Sequence, residues 1–409
     1  MSAHTGVGLY LSVPFCKAKC SFCNFASDAF APGRMGAYVD RLCEEIRDAG
    51  KRAEEMGARL ERRADSIYFG GGTPSLLSDV QFQRIFKALK DEFDIAPGAE
   101  ATLECAPGQL EEKTLEELLK QGINRVSLGV QSFVDRESAA VGRLHTGKQC
   151  EAEIARLHAA GVKDIGLDLI TGLPHQSEES WRESVKRAIA SGVTHVSVYM
   201  LEIDEDSRLG REAIAGGGRY GARELPSEDE STAWYEIGSE MLDAAGIRQY
   251  EISNFAREGR ESQHNLKYWK RLSYIGFGLD AHSMLPSLRD TNEALRFQNT
   301  DDLNSYMETS SREGLKIIPS GEVPTLDIAR REEAFEESLF LGLRLNAGIN
   351  LDELREKFGA ALVESVMHAV LEAEEAGMVE MNGERVRLTA RGRMVSNEVF
   401  SRLLIPTVA

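Results

Sequence analysis

Cys16, Cys20 and Cys23 stand in the run Pro14-Phe15-Cys16-Lys17-Ala18-Lys19-Cys20-Ser21-Phe22-Cys23-Asn24-Phe25. The spacing is C-x3-C-x2-C, three thiols within eight residues. Soft thiolates crowded this closely suit a soft metal centre. Three is the informative number. A structural zinc site closes with four ligands, and ordinary iron–sulfur clusters take four cysteines. Three thiolates on a cubane leave one iron with an open position, where a small molecule can bind. The competing reading is a zinc knuckle completed by a distant His or by Cys43. The other cysteines, Cys43, Cys105 and Cys150, read as small apolar core residues.

Further candidates fall where predicted strands end. Ile67-Tyr68-Phe69 runs into Gly70-Gly71-Gly72-Thr73-Pro74. Three glycines let backbone N–H groups approach a ligand with no Cβ in the way. Taken alone, such a run is also what a tight turn needs. Glu104 ends the next strand, and its carboxylate can accept hydrogen bonds from a ribose diol. Gln131 follows the fourth strand in Gly129-Val130-Gln131-Ser132-Phe133, and Arg143 lies in Gly142-Arg143-Leu144-His145. Arg143 can pair a carboxylate bidentately. Asp168 sits inside the otherwise apolar Ile165–Ile170. A charge there is costly unless it is partnered or faces a cavity.

The elements that must position these residues alternate. Strands are expected at Gly8–Val13, Ser66–Phe69, Glu100–Glu104, Arg125–Gly129, Asp164–Ile170 and His195–Tyr199. Helices are expected at Met35–Arg63, Ser78–Phe93, Leu110–Gln121, Gln149–Ala160 and Glu178–Ser191, with Gly122 and Gly161 as stops. Six βα units predict a parallel sheet with outer helices. They are too few for an eight-stranded barrel, so the expected fold is α/β, a partial (βα)6 barrel. A doubly wound open sheet is the alternative. The charged, Gly-rich stretch Asp204–Glu230 reads as an exposed excursion. A helix is expected at Ser231–Ala245, then an aromatic-rich block at Tyr250–Met284 belonging with the barrel.

Pro319, Gly321 and Pro324 punctuate the chain before Asp327. The expected division is 1–318, with a core at about 1–200 and a His264-Asn265-Leu266-Lys267-Tyr268-Trp269 region at about 231–300, and then 319–409. Helices at about Arg330–Leu343, Leu351–Phe358 and Leu362–Ala376 precede a hairpin, Val379–Met381 and Val386–Leu388, turning at Asn382-Gly383. Thr389 is a plausible N-cap for a last helix. Three helices and a β-wing make a winged-helix-like α+β domain. Its presumed recognition helix carries Glu364, Glu372, Glu374 and Glu375 and no Lys or Arg. Such a face repels phosphates, so the domain reads as a docking or lid module.

The 409 residues carry a net charge of −18, which argues against non-specific binding to nucleic acid or an anionic membrane. No apolar run is long enough to span a bilayer, and the N-terminus has no signal-peptide pattern. The expected location is cytoplasmic, which leaves room for peripheral membrane contact.

The cysteine spacing resembles the signature of the radical S-adenosylmethionine (SAM) superfamily. In that superfamily the amino and carboxylate groups of SAM chelate the fourth iron of a [4Fe-4S] cluster. Together with Tyr10, the Gly70–Ser75 run, Glu104, Gly129–Phe133, Gly142–His145 and Asp168-Leu169-Ile170-x-Gly172-Leu173-Pro174, the resemblance narrows to the HemN/HemW group. That group holds the oxygen-independent coproporphyrinogen III dehydrogenase and the haem chaperones. By this resemblance Tyr10, Gly71, Gly72, Thr73, Glu104, Gln131, Arg143 and Asp168 line the SAM region, with one SAM or two. The dehydrogenase has a fourth cysteine two places after the third, where this chain has Phe25. It also carries a long N-terminal extension, whereas fifteen residues precede Cys16 here. Both departures point to the chaperones.

The His264–Trp269 block resembles the chaperones' HNxxYW motif. The resemblance implies haem contact through His264, a natural iron ligand, and the flat faces of Tyr268 and Trp269. On the residues alone, these read as a satisfied core histidine and packing aromatics. His282 is a secondary candidate. The group's usual Gly and Ala are replaced here by Leu279-Asp280. The implied function is a haem chaperone holding a [4Fe-4S] cluster, SAM and haem. It would deliver haem to respiratory haem proteins, with a haem or electron donor as a further partner, and would lack coproporphyrinogen oxidase activity. The alternatives are the dehydrogenase, an oxidative decarboxylase, and a radical SAM methyltransferase of the same branch.

Overall fold

The computed structural model describes residues 6–290, 293–308 and 327–403. Strands β1 (Val7–Val13), β2 (Arg63–Gly71), β3 (Asp94–Cys105), β4 (Arg125–Gln131), β5 (Asp164–Thr171) and β6 (His195–Met200) are parallel neighbours in chain order. A doubly wound sheet reverses its strand order at one point. This order never reverses, so right-handed crossovers put the helices on one side and the sheet forms a barrel wall. The strands read as near-continuous apolar runs because both of their faces are covered. In β1 every residue but Tyr10 is buried.

Both edges of the wall are extended. β7 (Arg248–Glu251) and β8 (Asn254–Ala256) add antiparallel beside β6. β9 (Tyr274–Phe277) pairs parallel with β1. β10 (His282–Pro286), β11 (Ala294–Gln298) and β12 (Asp327–Ala329) continue antiparallel from it. The aromatic-rich block is therefore part of the barrel sheet.

Two expectations for this part need correction. The helix expected at Met35–Arg63 is two helices, Met35–Arg47 and Ala49–Met56, stopped by Gly57 at φ +78°. Arg63 instead starts β2, because strand pairing with β3 claims it. The Asp204–Glu230 stretch is not a free excursion. Its helix Arg208–Ile214 buries Leu209 completely, and Leu209 packs with Val141, Ile170 and Leu173. Leu209 N–H donates to Ser21 O at 2.8 Å, and the Arg208 guanidinium bonds Lys19 O. The segment is thus a strap across the cysteine loop. Its charged and Gly-rich composition concealed the few apolar residues that anchor it.

The C-terminal part has its own core, built on the helices Arg331–Leu343, Leu351–Phe358 and Ala360–Glu375. They pack with a small sheet of β13 (Ile349–Asn350), β14 (Val379–Asn382) and β15 (Arg385–Leu388), in the order β13-β15-β14. Helix Ala360–Glu375 buries Val363, Val366, Val370 and Ala373, one stripe at helical spacing, and leaves Glu364, Glu372 and Glu375 exposed. The wing turns at Gly383-Glu384 rather than Asn382-Gly383, since Asn382 pairs with Arg385. Gly383 alone has positive φ, at 60°, which is the signature of a type II′ turn rather than I′. Thr389 caps the next helix through Gly392 N–H. Pro319, Gly321 and Pro324, expected at the domain boundary, lie outside the described residues.

This part is fastened to the barrel. Glu337 forms an ion pair with Arg271 at 2.7 Å, and both are nearly buried. Ile252 N–H donates to Arg344 O and Asn346 N–H to Tyr250 O. The Arg344 guanidinium lies 4.5 Å from the centre of the Trp269 ring. Removing one member of a buried ion pair costs several kcal/mol, so the two cores are held as one body.

Candidate functional site

The cysteine loop is built by strand β1 and closed on itself. Cys16 N–H donates to Asp28 O and Asp28 N–H to Pro14 O, both at 3.0 Å. Fully buried Phe15 anchors the loop edge-on against Tyr38, with centroids 5.4 Å apart. The glycine run after β2 does a different task from the one expected. Gly72 N–H donates to Val13 O and Thr73 N–H to Phe15 O, both at 2.8 Å. Those two amides hold the cysteine loop and are spent before any ligand arrives. A Cβ on Gly72 would meet backbone atoms of Val13, Pro14 and Phe15 at 2.9 Å. Gly72→Ala should therefore lower stability by roughly 1–3 kcal/mol, the usual cost of overpacking, read as a lower denaturation midpoint of the full chain. An unchanged midpoint would show that the loop yields without cost.

Each thiol has a polar neighbour. Thr73 Oγ1 donates to Cys16 Sγ at 3.6 Å, and Arg143 Nη1 to Cys20 Sγ at 3.3 Å. Ser27 Oγ lies 4.0 Å from Cys23 Sγ. Burial, followed by the other cysteines for Cys16, pushes the Cys16 and Cys23 thiols above their ordinary range, against these donors. When free, the Cys16 and Cys23 thiols stay protonated, and a bound cation reverses that balance. No set of three or more His, Cys, Asp or Glu among the described residues is gathered tightly around a single ion. The three sulfurs line one cavity instead, beside a guanidinium and two hydroxyls. That donor set fits a cluster, which brings its own iron and sulfide to span the gaps between thiolates. Cys43 lies in the hydrophobic core and does not line this cavity, so it cannot complete a zinc site.

The cavity, of about 400 Å3, gathers Cys16, Cys20, Cys23, Gly71, Gly72, Thr73, Glu104, Gln131, Arg143 and Asp168. Gln131 reaches it through a bulge. The β4–β5 register shifts between Gly129 and Gln131, and Gln131 has φ +66°. Such a conformation is rare for a residue with a side chain, and it lies where a bulge re-aims one. Arg143 packs over Gly129, where a Cβ would lie 3.0 Å from its Nη2, and its guanidinium bonds Gly129 O. Its Nε is buried without a partner.

Glu104 and Asp168 form a carboxylate pair in the same cavity. Burial, and then the charge of Asp168, raise the Glu104 carboxyl to about 7, opposed by the Tyr68 hydroxyl and the Gly71 amide. The Tyr68 bond is 2.8 Å. Burial raises Asp168 to about 6, opposed by Ser197, Ser127 and Arg143. Two acceptors with elevated proton affinity, carried by β3 and β5 on either side of β4, suit the hydroxyl groups of a sugar. Sequence reasoning missed Ser127, Ser197, Tyr199, Asn24 and Asp204. The serines are legible only from register, because Asp168 pairs with Ser197 across β5–β6. Asn24 reaches Asp204 at 3.4 Å through the strap, a contact no local pattern signals.

Four other expected residues lie elsewhere. Tyr10 faces a neighbouring groove with Tyr268, and its ring stacks on Tyr68 at 6.0 Å. His264 is 1% exposed. Its Nδ1 bonds Ser66 Oγ and its Nε2 bonds the Tyr268 hydroxyl, each at 2.9 Å. Burial, then Lys267, lowers its pKa to about 3. Its helix, Gln263–Trp269, is capped by Ser262, and Glu100 accepts from the N–H groups of Gln263 and His264. His264 thus has the geometry of a satisfied core histidine, and both ring nitrogens are hydrogen-bonded. Trp269 lines neither cavity and packs beneath Arg344.

The family model for the radical SAM superfamily matches residues 10–188, and that for the HemN C-terminal domain matches residues 330–395. The barrel and its cysteine cavity are those of a radical SAM protein, and that family implies a [4Fe-4S] cluster and SAM. The chain is 31% identical over 399 residues to the heme chaperone HemW of Bacillus subtilis, covering 97% of this chain and 98% of that one. It is 34% identical over 354 residues to the heme chaperone HemW of Synechocystis, covering 84% and 79%. The coproporphyrinogen III oxidase HemN of Escherichia coli shares the fold, with a TM-score of 0.78 at 21% identity, over 98% of this chain and 90% of that one. The chain belongs to the HemW family of radical SAM proteins. No helix among the described residues is long and apolar enough to cross a membrane.

Proposed function

We propose that this chain is a haem chaperone that binds a [4Fe-4S] cluster, SAM and haem and passes haem to respiratory haem proteins. The observation that carries the reading is Phe25. It stands where the dehydrogenase has a further cysteine, and it is 64% exposed at the wall between the two cavities. A side chain there offers apolar surface to a ligand and no thiol. Full-length identity to heme chaperones supports the same reading.

Cys16, Cys20 and Cys23 would hold the cluster, which supplies an iron with an open coordination position. Arg143, through Nη1, steadies the Cys20 thiolate. Glu104 and Asp168 would accept hydrogen bonds from the SAM ribose, with Gln131 on the adjoining wall. The part from residue 319 onward would act as a docking module for the recipient, and its acidic helix is unsuited to nucleic acid.

The test is anaerobic. Reconstituted protein is given SAM and reductant with coproporphyrinogen III in one arm and haem in the other. The haem arm should develop a Soret band, and the coproporphyrinogen arm should yield no vinyl porphyrin. Stoichiometric protoporphyrinogen would overturn the chaperone reading in favour of the decarboxylase.

A further inference from the structure

A second cavity, of about 360 Å3, opens beside the cluster cavity and shares Phe25, Ser27 and Gly71 with it. Its walls include Tyr10, Tyr268 and Tyr274, with Asp280 and His282. Resting on the haem-chaperone reading, we propose that this groove seats the iron porphyrin and that His282, not His264, ligates the iron.

Three observations carry this. The first is access. Iron ligation needs a neutral imidazole nitrogen with a free lone pair that the porphyrin can reach. His264 has neither its lone pair nor its surface available. His282, the first residue of β10, is exposed, and its side chain makes no hydrogen bond or ion pair among the described residues.

The second is shape. Flat rings line the groove, with Tyr268 and Tyr274 edge to face at 4.6 Å. Aromatic faces suit a planar macrocycle. The size lies within the range of small-molecule pockets, and the shared wall at Phe25 places a ligand next to the cluster cavity.

The third is the turn that carries the imidazole. Asp280 takes φ +56°, a left-handed conformation that Asp tolerates better than most residues. Backbone bonds to the loop after β11 hold it: Asp280 N–H to Thr300 O at 2.9 Å, and Asn299 N–H to Ala281 O at 3.0 Å. The departure Leu279-Asp280 thus gives the histidine an acidic neighbour.

Among the described residues, no Lys or Arg lines the groove. The porphyrin propionates would therefore point to solvent, and affinity should depend weakly on salt.

The experiment titrates ferric haem and iron-free protoporphyrin IX into reconstituted full-length wild type, His282→Ala and His264→Ala. Wild type should bind one haem with a histidine-ligated spectrum. His282→Ala should lose haem affinity by at least about tenfold, keep its affinity for iron-free porphyrin, and regain the ligated spectrum with added imidazole. His264→Ala, if folded, should keep the ligated spectrum. An unchanged His282→Ala titration, beside a wild type that binds, would overturn the groove alone. So would equal weakening toward the iron-free porphyrin. A wild type that binds no haem would instead overturn the chaperone reading itself.

Discussion

Cys20→Ser lowers the iron bound after anaerobic reconstitution from about four atoms per chain to below about one, and the brown absorbance disappears. The reason lies in the geometry around that sulfur. Cys20 is the most buried of the three cluster cysteines, and the Arg143 guanidinium donates to it at 3.3 Å. A serine oxygen is a hard donor with a much higher pKa, and it cannot supply the soft anionic ligand the cluster needs. The remaining two thiols cannot hold a cubane alone. The expected change is in metal content, not in the fold. The loop is closed by backbone bonds at Cys16, Asp28, Gly72 and Thr73, none of which involves a cysteine side chain. Circular dichroism of the variant should match wild type. Retention of zinc by wild type, with no iron and no colour, would defeat the cluster assignment.

Glu104→Gln makes the cluster-free protein more stable at pH 8 and flattens its pH dependence between about 4.5 and 7. The Glu104 carboxyl is raised from 4.5 to about 7, first by burial and then by Asp168. A folded state that holds the proton more tightly than the unfolded chain loses stability as pH rises between those two values. The penalty is complete above about 7 and absent below the unfolded pKa. A neutral amide carries none of it. The gain at pH 8 is of order 1–3 kcal/mol, reduced by the partial solvent access of the site. At pH 4.5 the two proteins should melt alike. The same change should weaken SAM binding by about tenfold or more, because the amide replaces a charged acceptor. Stability and binding then move in opposite directions, as expected of a residue kept for function. A lower melting point at pH 8 would show that Glu104 is ionised and well paired in the native state.

Much of the barrel was readable because its signals are local. Alternation of apolar strands with capped helices fixed the six βα units, and the observed boundaries differ mainly at their ends. Ser78 and Thr146 each form a capping box with a residue three places on, and Gly122 and Gly161 stop helices at positive φ. The misread stretches depend on distant partners. Met35–Arg63 looked like one helix until β3 claimed Arg63. The strap after β6 looked solvated because Leu209 finds its apolar neighbours, Val141, Ile170 and Leu173, far away along the chain.

The candidate site divides the same way. Three thiols in eight residues need only their own chain, so the sequence by itself determined the cluster loop, the superfamily and the absence of a fourth neighbouring cysteine at Phe25. The register of the parallel strands decided that Glu104 and Asp168 share a wall with Gln131 and Arg143. Tertiary packing alone decided that the Gly72 and Thr73 amides bind the loop, that Tyr10 faces the second groove, and that His264 is sealed while His282 is open. No spacing along the chain encodes which side of a strand or helix meets water. That is set by the elements packed against it, here β2 over His264 and open solvent beside His282.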